Sequence, residues 1–171
     1  EPTVNAVSLP GGYVYVFKGL LDYIKTDDEL AGVIAHEVAH IAARHSIKRL
    51  QASYTNIAAI VAAMAIDGRL AGGINAATTS MFFQYSQEDE IAADTIGIKY
   101  MTAAGYDPNG MVRMLEKLQE YDRKQPIRPK TYGRTHPYVH QRIAAVNQAI
   151  TGDLSFRDYV RITGDQDGYK R

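Results

Sequence analysis

The chain has 171 residues, which is enough for one domain with a well-buried core and short for two. Lysine plus arginine and aspartate plus glutamate each number 19, and the formal charge of zero gives no reason to expect nucleic acid or an anionic membrane as the main partner. There is no cysteine, which excludes a thiolate metal site, a cysteine nucleophile and disulfide bonds. The composition therefore predicts one globular domain without thiol chemistry.

The first 30 residues indicate a hairpin followed by the start of a helix. Val4–Val7 and Tyr13–Phe17 are rich in β-branched and aromatic side chains, and the residues Pro10–Gly12 between them are typical of a turn. Thr26 and Glu29 form a capping-box pattern, in which the first side chain accepts from the helix and the second reaches back. We therefore predict two short strands and a helix that begins near residue 26.

That helix carries the most informative motif of the chain. The stretch Leu30–Leu50 is typical of one continuous helix, and His36 and His40 stand four residues apart within it. Their side chains differ by about 40° around the axis, so both imidazoles face the same way, as a pair of Zn²⁺ ligands does. Glu37 lies beside such a metal, where a carboxylate can take a proton from a metal-activated water. The spacing predicts a metallopeptidase.

Three further helices follow, each with its own start and stop signals. They are predicted from Ser86 to Gly105, from Asp107 and Pro108 to about Lys124, and from Pro137 to Gly152. Residues 51–82 are alanine-rich and predict helical segments with a break at 68–73, and residues 125–134 predict a loop. The longest apolar run, Ile57–Ile66, has about ten residues where a membrane span needs about 20. No transmembrane helix is predicted.

A hydrolytic zinc site needs a third protein ligand and one open position for water. Glu90 and Asp94 share one face of the first of these later helices. We expect Glu90 to bind the metal and Asp94 to accept the outer N–H of a ligating histidine, which fixes the tautomer of that imidazole. Read without the upstream motif, Glu90 belongs to a solvated acidic helix start. His45 would point about 140° away from His40 on a continuous helix, which excludes it from the same metal, and it is interpreted as a structural or capping histidine.

The two motifs resemble the HtpX and CAAX prenyl protease family of zinc metallopeptidases, a group of gluzincins. The resemblance rests on His-Glu-Val-Ala-His at 36–40 and Glu-Ile-Ala-Ala-Asp at 90–94, with Asn5 and Ala6 before them and Arg-Thr-His-Pro at 134–137 after them. It covers Asn5–Ile150 and is most similar to the soluble, periplasmic BepA-like branch. It implies that the chain is a zinc metalloendopeptidase.

The resemblance also implies which residues form the site. His36, His40 and Glu90 would bind one Zn²⁺ per chain, and Glu37 would be the catalytic base, taking the proton of the water and passing it to the leaving amine. Asp94 would support one of the ligating histidines from outside the metal, as expected above from the helix face that it shares with Glu90.

His136 leaves several roles open. In BepA-like relatives the histidine of the Thr-His-Pro segment can reach the metal as a fourth ligand that blocks the water site, and elsewhere in the family a late histidine is taken to stabilise the oxyanion, a task that Tyr132 could share. On local reading, His136 is equally consistent with a surface residue at a helix start. Arg142 on the same helix is expected to pair with a site carboxylate, and His140 is interpreted as structural.

We predict an α+β, mostly helical domain of zincin type over residues 1–152, with a small sheet of two or three strands beside the metal helix. Residues 153–171 are interpreted as a C-terminal extension or the start of a missing segment. The chain begins at Glu1 without an initiator methionine, so we expect a processed or trimmed fragment, and any signal peptide would lie outside it.

The predicted function is zinc-dependent hydrolysis of peptide bonds. The predicted substrates are unfolded or misassembled polypeptides bound in extended conformation. The resemblance implies a periplasmic or otherwise extracytoplasmic compartment, with a peripheral membrane or outer-membrane assembly partner as a further option. The alternative is a chaperone-like binding module with a latent metal site blocked by His136. The sequence leaves substrate preference and oligomeric state open.

Overall fold

A computed structural model of the chain describes residues 3–54, 85–124 and 135–152. The described residues form two strands and six helical segments. These are β1 (Ala6–Leu9), β2 (Tyr13–Val16), α1 (Lys18–Tyr23), α2 (Asp27–Ala42), α3 (residues 45–54), α4 (Gln87–Ala103), α5 (Asn109–Lys124) and α6 (Val139–Thr151). The described part is mostly helical with one small antiparallel sheet, which confirms the predicted α+β class.

The N-terminal strands form the predicted hairpin. β1 pairs antiparallel with β2, from Ala6 opposite Val16 to Leu9 opposite Tyr13. Gly11 and Gly12 make the turn with φ of 100° and 93°, a backbone region that side chains with a Cβ rarely adopt. The first strand lies two residues further along than predicted, because Val4 is buried in the core ahead of the ladder.

Helix α2 is the central element of the fold. Its N-terminus is capped as predicted, since the Thr26 hydroxyl accepts from the backbone N–H of Glu29 at 3.3 Å. It packs against β1, α4 and α5, while α6 covers α4 and α5. The core between them is built from aliphatic and methionine side chains, including Leu20, Val33, Met111 and Ile143. A helix enclosed on several sides can carry polar side chains into a water-poor interior.

The prediction of one continuous helix over Leu30–Leu50 is wrong. Helix α2 ends at Ala42, and Arg44 adopts a left-handed conformation with φ of 57° before α3 begins. A left-handed residue interrupts the helical hydrogen-bond ladder and turns the chain back. His45 is therefore brought beside His40 rather than about 140° around a shared axis.

Two other helices differ from what the sequence predicts. The short helix α1 was not predicted at all. The last helix begins at Val139 rather than at Pro137, because Tyr138 caps it in a left-handed conformation with φ of 65°. The helices predicted from Ser86 and from Asp107 are confirmed, with Ser86 capping α4 through the N–H of Asp89.

Close packing of α4 on α2 depends on a glycine. A Cβ placed at Gly97 would lie 3.3 Å from the carbonyl carbon of Ala35 and 3.3 Å from the backbone nitrogen of His36. Such contacts are tighter than ordinary packing allows, so a residue without a side chain lets the two backbones approach. The approach brings Asp94, one turn earlier on α4, against the side chain of His36.

Several sequence predictions fall outside the described residues. They are the alanine-rich helices beyond residue 54, the apolar run Ile57–Ile66, the loop at 125–134 with Tyr132, and the extension from 153 to 171. Across residues 3–54, 85–124 and 135–152, no helix combines the length and apolar character that crossing a bilayer requires.

Candidate metal centre

Four buried side chains from three parts of the chain meet at one point. His36 and His40 come from α2, Glu90 comes from the first turn of α4, and His136 stands just before α6. Each offers a ligand atom, and these atoms all lie within 4.8 Å of one another. The structure thus brings together every residue that the sequence nominated as a metal ligand.

The distances between the donor atoms are those expected around a single ion. Nε2 of His36 lies 3.0 Å from Nε2 of His40 and 3.5 Å from Oε2 of Glu90, and Nε2 of His40 lies 3.3 Å from Oε1 of Glu90. Nδ1 of His136 lies 3.2 Å from Nε2 of His36 and 3.0 Å from Oε1 of Glu90. Because zinc bonds to nitrogen and oxygen are about 2.0–2.1 Å, tetrahedral ligands stand about 3.3 Å apart. The donor set fits zinc.

A buried network of charged side chains contacts His36 at Nδ1, the ring nitrogen that points away from the other donor atoms. Its Nδ1 lies 2.8 Å from Oδ1 of Asp94, and Arg142 binds both oxygens of Asp94 through Nε and Nη2 at 2.8 Å each. Nη1 of the same guanidinium lies 2.7 Å from Oε2 of Glu90. Arg142 on α6 therefore fixes the two carboxylates of α4, and one of these fixes the imidazole.

Three of the four donor residues, His36, His40 and Glu90, favour the protonation states that bind metal. Burial and the nearby charge of Arg142 hold the pKa of His36 well below its ordinary value, and burial also lowers the pKa of His40. Burial alone would raise the pKa of Glu90, but the charges of Arg142, His136 and His36 outweigh it and hold it well below its usual range. Neutral imidazoles and an ionised carboxylate are the forms that coordinate zinc.

Glu37 and His136 face each other beside the donor atoms. Glu37 is buried, and neither carboxylate oxygen accepts a hydrogen bond from the described part of the chain. Nε2 of His136 lies 3.3 Å from Oε1 of Glu37, while its Nδ1 lies among the donor atoms. Burial would lower the pKa of His136, but the charges of Glu90 and Glu37 raise it. The side chain is buried, so the reading of His136 as a surface residue is wrong.

Sequence reasoning missed the surroundings of His40. Nδ1 of His45 lies 2.9 Å from Nδ1 of His40, and Nε2 of His45 lies 3.3 Å from Oδ1 of Asp89. The ring of Tyr85 stacks on His40 with centroids 3.9 Å apart and planes 18° apart. The five-residue spacing of His40 and His45 signals this contact only if the helix is known to end between them. By contrast, His140 is exposed and contacts Gln119 on α5.

A cleft of about 450 Å³ opens beside His40. Its walls are the hairpin turn and the segment where α2 ends and α3 begins, namely Leu9, Pro10, Gly11, Gly12, His40, Ile41, Arg44, Ser46 and Ile47. The lining is mainly apolar, with the exposed Arg44 at one side. An apolar recess next to polar, buried chemistry is typical of a ligand-binding site.

Comparison with known families agrees with this geometry. The family model described as Peptidase family M48 matches residues 1–150, a range that includes all four donor residues and Glu37. The chain belongs to peptidase family M48. This confirms the family resemblance inferred from the motifs at 36–40 and 90–94.

Curated relatives carry two kinds of name. The chain is 34% identical to the mitochondrial metalloendopeptidase OMA1 of Schizosaccharomyces pombe over 86% of its own length and 44% of that protein. It is 39% identical to the protein of the same name from Arabidopsis thaliana, over 98% of its length and 34% of that protein. It is 31% identical to the β-barrel assembly-enhancing protease of Escherichia coli O157:H7, over 82% of its length and 31% of that protein. The chain thus spans less than half of each.

Proposed function

We propose that this chain is a zinc-dependent endopeptidase that hydrolyses peptide bonds in unfolded or misassembled proteins. The observation that carries the proposal is the meeting of two imidazoles from α2 with a carboxylate from α4, beside the buried carboxylate of Glu37, which accepts no hydrogen bond from the described residues. Membership of a peptidase family and the metalloendopeptidase names of relatives support the same reaction class.

The side chains divide the work of hydrolysis. His36, His40 and Glu90 would hold the ion, which would polarise the scissile carbonyl and lower the pKa of water. Glu37 takes the proton of the attacking water and delivers it to the leaving amine. Asp94 and Arg142 keep His36 and Glu90 in position, so that no reorganisation is needed during the reaction.

Substrate binding is proposed to use the hairpin and the adjacent cleft. Within the described residues the sheet has two strands, so its outer edges can add an extended peptide through main-chain hydrogen bonds. The cleft beside His40 would then receive one substrate side chain. Extended binding requires an unfolded segment, which supports unfolded or misassembled proteins as the substrate class.

One observation favours a second candidate function. The ring of His136 lies between the donor atoms and Glu37, with one nitrogen at each. A ring in that position occupies the space that water needs, so the site is equally compatible with a chaperone-like binding module whose metal site is latent. In that case His136 would be the fourth ligand, whereas in an active enzyme it would stabilise the oxyanion.

Cleavage of casein with and without a chelator tests the main proposal. The purified chain loaded with zinc is expected to produce fragments that the chelator abolishes, because the reaction needs the ion. Glu37→Gln is expected to keep one zinc per chain and to lose cleavage, since an amide cannot accept the proton. Glu88→Gln on the exposed start of α4 is the matched control and should cleave normally. Loss of zinc together with activity in Glu37→Gln would contradict its role as base.

Replacing His136 separates the two candidate functions. His136→Ala is expected to increase the rate of casein cleavage if the ring blocks the site, and to lower it if the ring assists the reaction. Under the chaperone-like alternative the zinc-loaded chain binds unfolded casein without cleaving it. A cleavage rate unchanged in His136→Ala would exclude both roles for this residue.

We further propose that residues 1–152 form the metallopeptidase domain and that residues 153–171 extend it. The compartment is proposed to be extracytoplasmic. The name of the E. coli relative refers to β-barrel assembly and supports a partner in that process, such as an outer-membrane assembly partner, whereas the fungal and plant names are mitochondrial. Fractionation of the native cells, with detection of the chain in each fraction, decides between these compartments.

A further inference from the structure

The two imidazoles of the metal centre differ in what their outer nitrogens contact. Nδ1 of His36 meets the carboxylate of Asp94, but Nδ1 of His40 meets another imidazole, that of His45, at 2.9 Å. His45 is buried, and its other nitrogen lies 3.3 Å from Oδ1 of Asp89, whose side chain is 31% exposed. A chain of three side chains therefore runs from the donor atoms to the protein surface.

Hydrogen-bonding rules give this chain one consistent direction. When Nε2 of His40 binds a metal, its Nδ1 must carry the ring proton and donates it. Nδ1 of His45 is then the acceptor, so the proton of a neutral His45 sits on Nε2. That N–H points to a carboxylate, Asp89, which accepts. Each nitrogen in the series has one role, and no two donors face each other.

The rest of the pocket keeps His40 and His45 in this relation. The ring of Tyr85 stacks on His40, and its hydroxyl lies 2.8 Å from the hydroxyl of Ser46, the residue after His45. The guanidinium of Arg49 sits 4.1 Å from the centre of the Tyr85 ring on the side of α3. Because α3 supplies both Ser46 and Arg49, the ring that covers His40 and the imidazole that bonds it are fixed by the same helix.

We propose that His45, itself held by Asp89, is a positioning residue that orients the metal-binding imidazole of His40. The pair does for His40 what Asp94 does for His36, with an imidazole inserted between the ligand and the carboxylate. The inference rests on the proposed metal site, and it assigns to His45 and Asp89 a task that neither metal binding nor proton transfer by Glu37 supplies. Outer partners of this kind contribute about 10–100-fold to metal affinity.

Zinc affinity, measured by competition with a chromophoric chelator, tests the role of Asp89. Asp89→Ala is expected to weaken zinc binding about tenfold, at the lower end of that range, because the carboxylate acts through a second residue. Glu88→Ala removes the same charge from the same helix turn and should bind zinc as the wild type does. Equal losses in the two variants would overturn the inference, because they would assign the effect to helix charge alone.

Two substitutions of His45 test the contact itself. His45→Phe keeps a ring but removes the acceptor, and is expected to lower zinc affinity about 10–100-fold. His45→Asn places an amide oxygen where Nδ1 stood and should recover most of that loss. Equal affinity of His45→Phe and wild type, or equal losses in both variants, would overturn the inference.

Nitrogen NMR of the zinc-loaded wild type gives a readout independent of cleavage. We expect His40 as the Nδ1–H tautomer and His45 as the Nε2–H tautomer, and a proton on Nδ1 of His45 would overturn the inference. A wild-type chain that binds no zinc would instead contradict the proposed function. If the protein binds zinc with an affinity independent of positions 45 and 89, the proposed function would stand. Only the positioning role of His45 and Asp89 would then be contradicted.

Discussion

The two sides of the candidate metal centre, around His36 and around His40, show two ways to hold an imidazole in place. His36 is fixed by the carboxylate of Asp94, which is bound on both oxygens by the buried guanidinium of Arg142. His40 is fixed by the imidazole of His45 and by a stacked tyrosine, and the carboxylate behind them is partly exposed. Ion pairs in a water-poor interior are strong, and removing one partner strongly destabilises the fold. Contacts between neutral side chains are weaker, and their loss costs less stability.

This difference predicts separate consequences for the two sides. The network around His36 joins α2, α4 and α6, so breaking it should cost both folding stability and metal affinity. The contacts around His40 join α2, α3 and the start of α4, and include a surface carboxylate. Breaking these should affect metal affinity with little change in stability.

The largest effect is expected from Arg142→Met. Removing the guanidinium leaves the carboxylates of Asp94 and Glu90 buried without their cation, which is expected to lower the free energy of unfolding by about 3–5 kcal/mol. The measurement is urea unfolding followed by circular dichroism. Arg113→Met is the matched control, because Arg113 pairs with Asp107 and Asp28 at a partly exposed site. It should lose about 0–1 kcal/mol, and equal losses in both variants would refute the contrast.

The second effect concerns metal affinity. Asp94→Asn keeps the shape of the side chain but removes the charge that Arg142 binds and that orients His36. We expect zinc affinity to fall by about 100-fold, the upper end of the range for outer partners. Chelator competition under the conditions used for Asp89→Ala measures it. A smaller loss in Asp94→Asn than in Asp89→Ala would reverse the proposed ranking of the two sides.

The third effect tests the spacing of α4 and α2. Gly97→Val places a branched side chain against the backbone of Ala35 and His36, where even a Cβ would lie only 3.3 Å away. We expect a loss of about 2 kcal/mol in the free energy of unfolding from overpacking, together with weaker zinc binding. Ala103→Val, at an exposed position of the same helix, is the control for the branched side chain. Wild-type zinc affinity in Gly97→Val would show that helix spacing does not set the site.

The smallest effect lies at the start of α2, away from the metal centre. Burial alone would raise the pKa of Glu29, but hydrogen bonds from Lys117 and from the backbone N–H of Lys25 hold the pKa below its ordinary value of 4.5. The ionised carboxylate therefore stabilises the fold above the unfolded pKa, and the contribution is lost as pH falls through the lower folded pKa.

Glu29→Gln is accordingly expected to be about 1 kcal/mol less stable than the wild type at pH 7. The difference should shrink once the pH falls below the folded pKa, because the wild-type carboxyl is then protonated as well. Urea unfolding of both proteins, at pH 7 and at a pH below the folded pKa of Glu29, measures this difference in stability. Asp22→Asn, at the exposed pair with Lys18, should change stability little at either pH. A difference that grows on acidification would contradict the sign of the pKa shift.

Much of the local structure could be predicted because it depends on neighbours in sequence. The helical period alone puts His36 and His40 on one face of α2. It likewise puts Glu90 and Asp94 on one face of α4. Capping by Thr26 and Ser86 and the glycine turn of the hairpin are likewise short-range, and the structure contains them as predicted. The family could also be inferred, since it is carried by motifs that are short and contiguous.

Two errors in the predicted helix bounds come from one kind of position. Arg44 and Tyr138 adopt left-handed conformations, although neither residue type favours them and no glycine or proline stands at either site. Packing of the flanking helices sets these conformations, so a local pattern could not reveal them. The misplaced end of α2 then hid the contact between His40 and His45, which depends on that turn.

The sequence by itself determined which functional groups are present: two imidazoles and a carboxylate at helical spacing, a second pair of carboxylates, and no thiol. Only the tertiary structure decided how these groups are combined. It brings His136, 100 residues after His36, between the donor atoms and Glu37, and it turns His45 back onto His40. The physical reason is that helical periodicity acts over a few residues, whereas helix packing and chain reversals depend on the burial of the whole core.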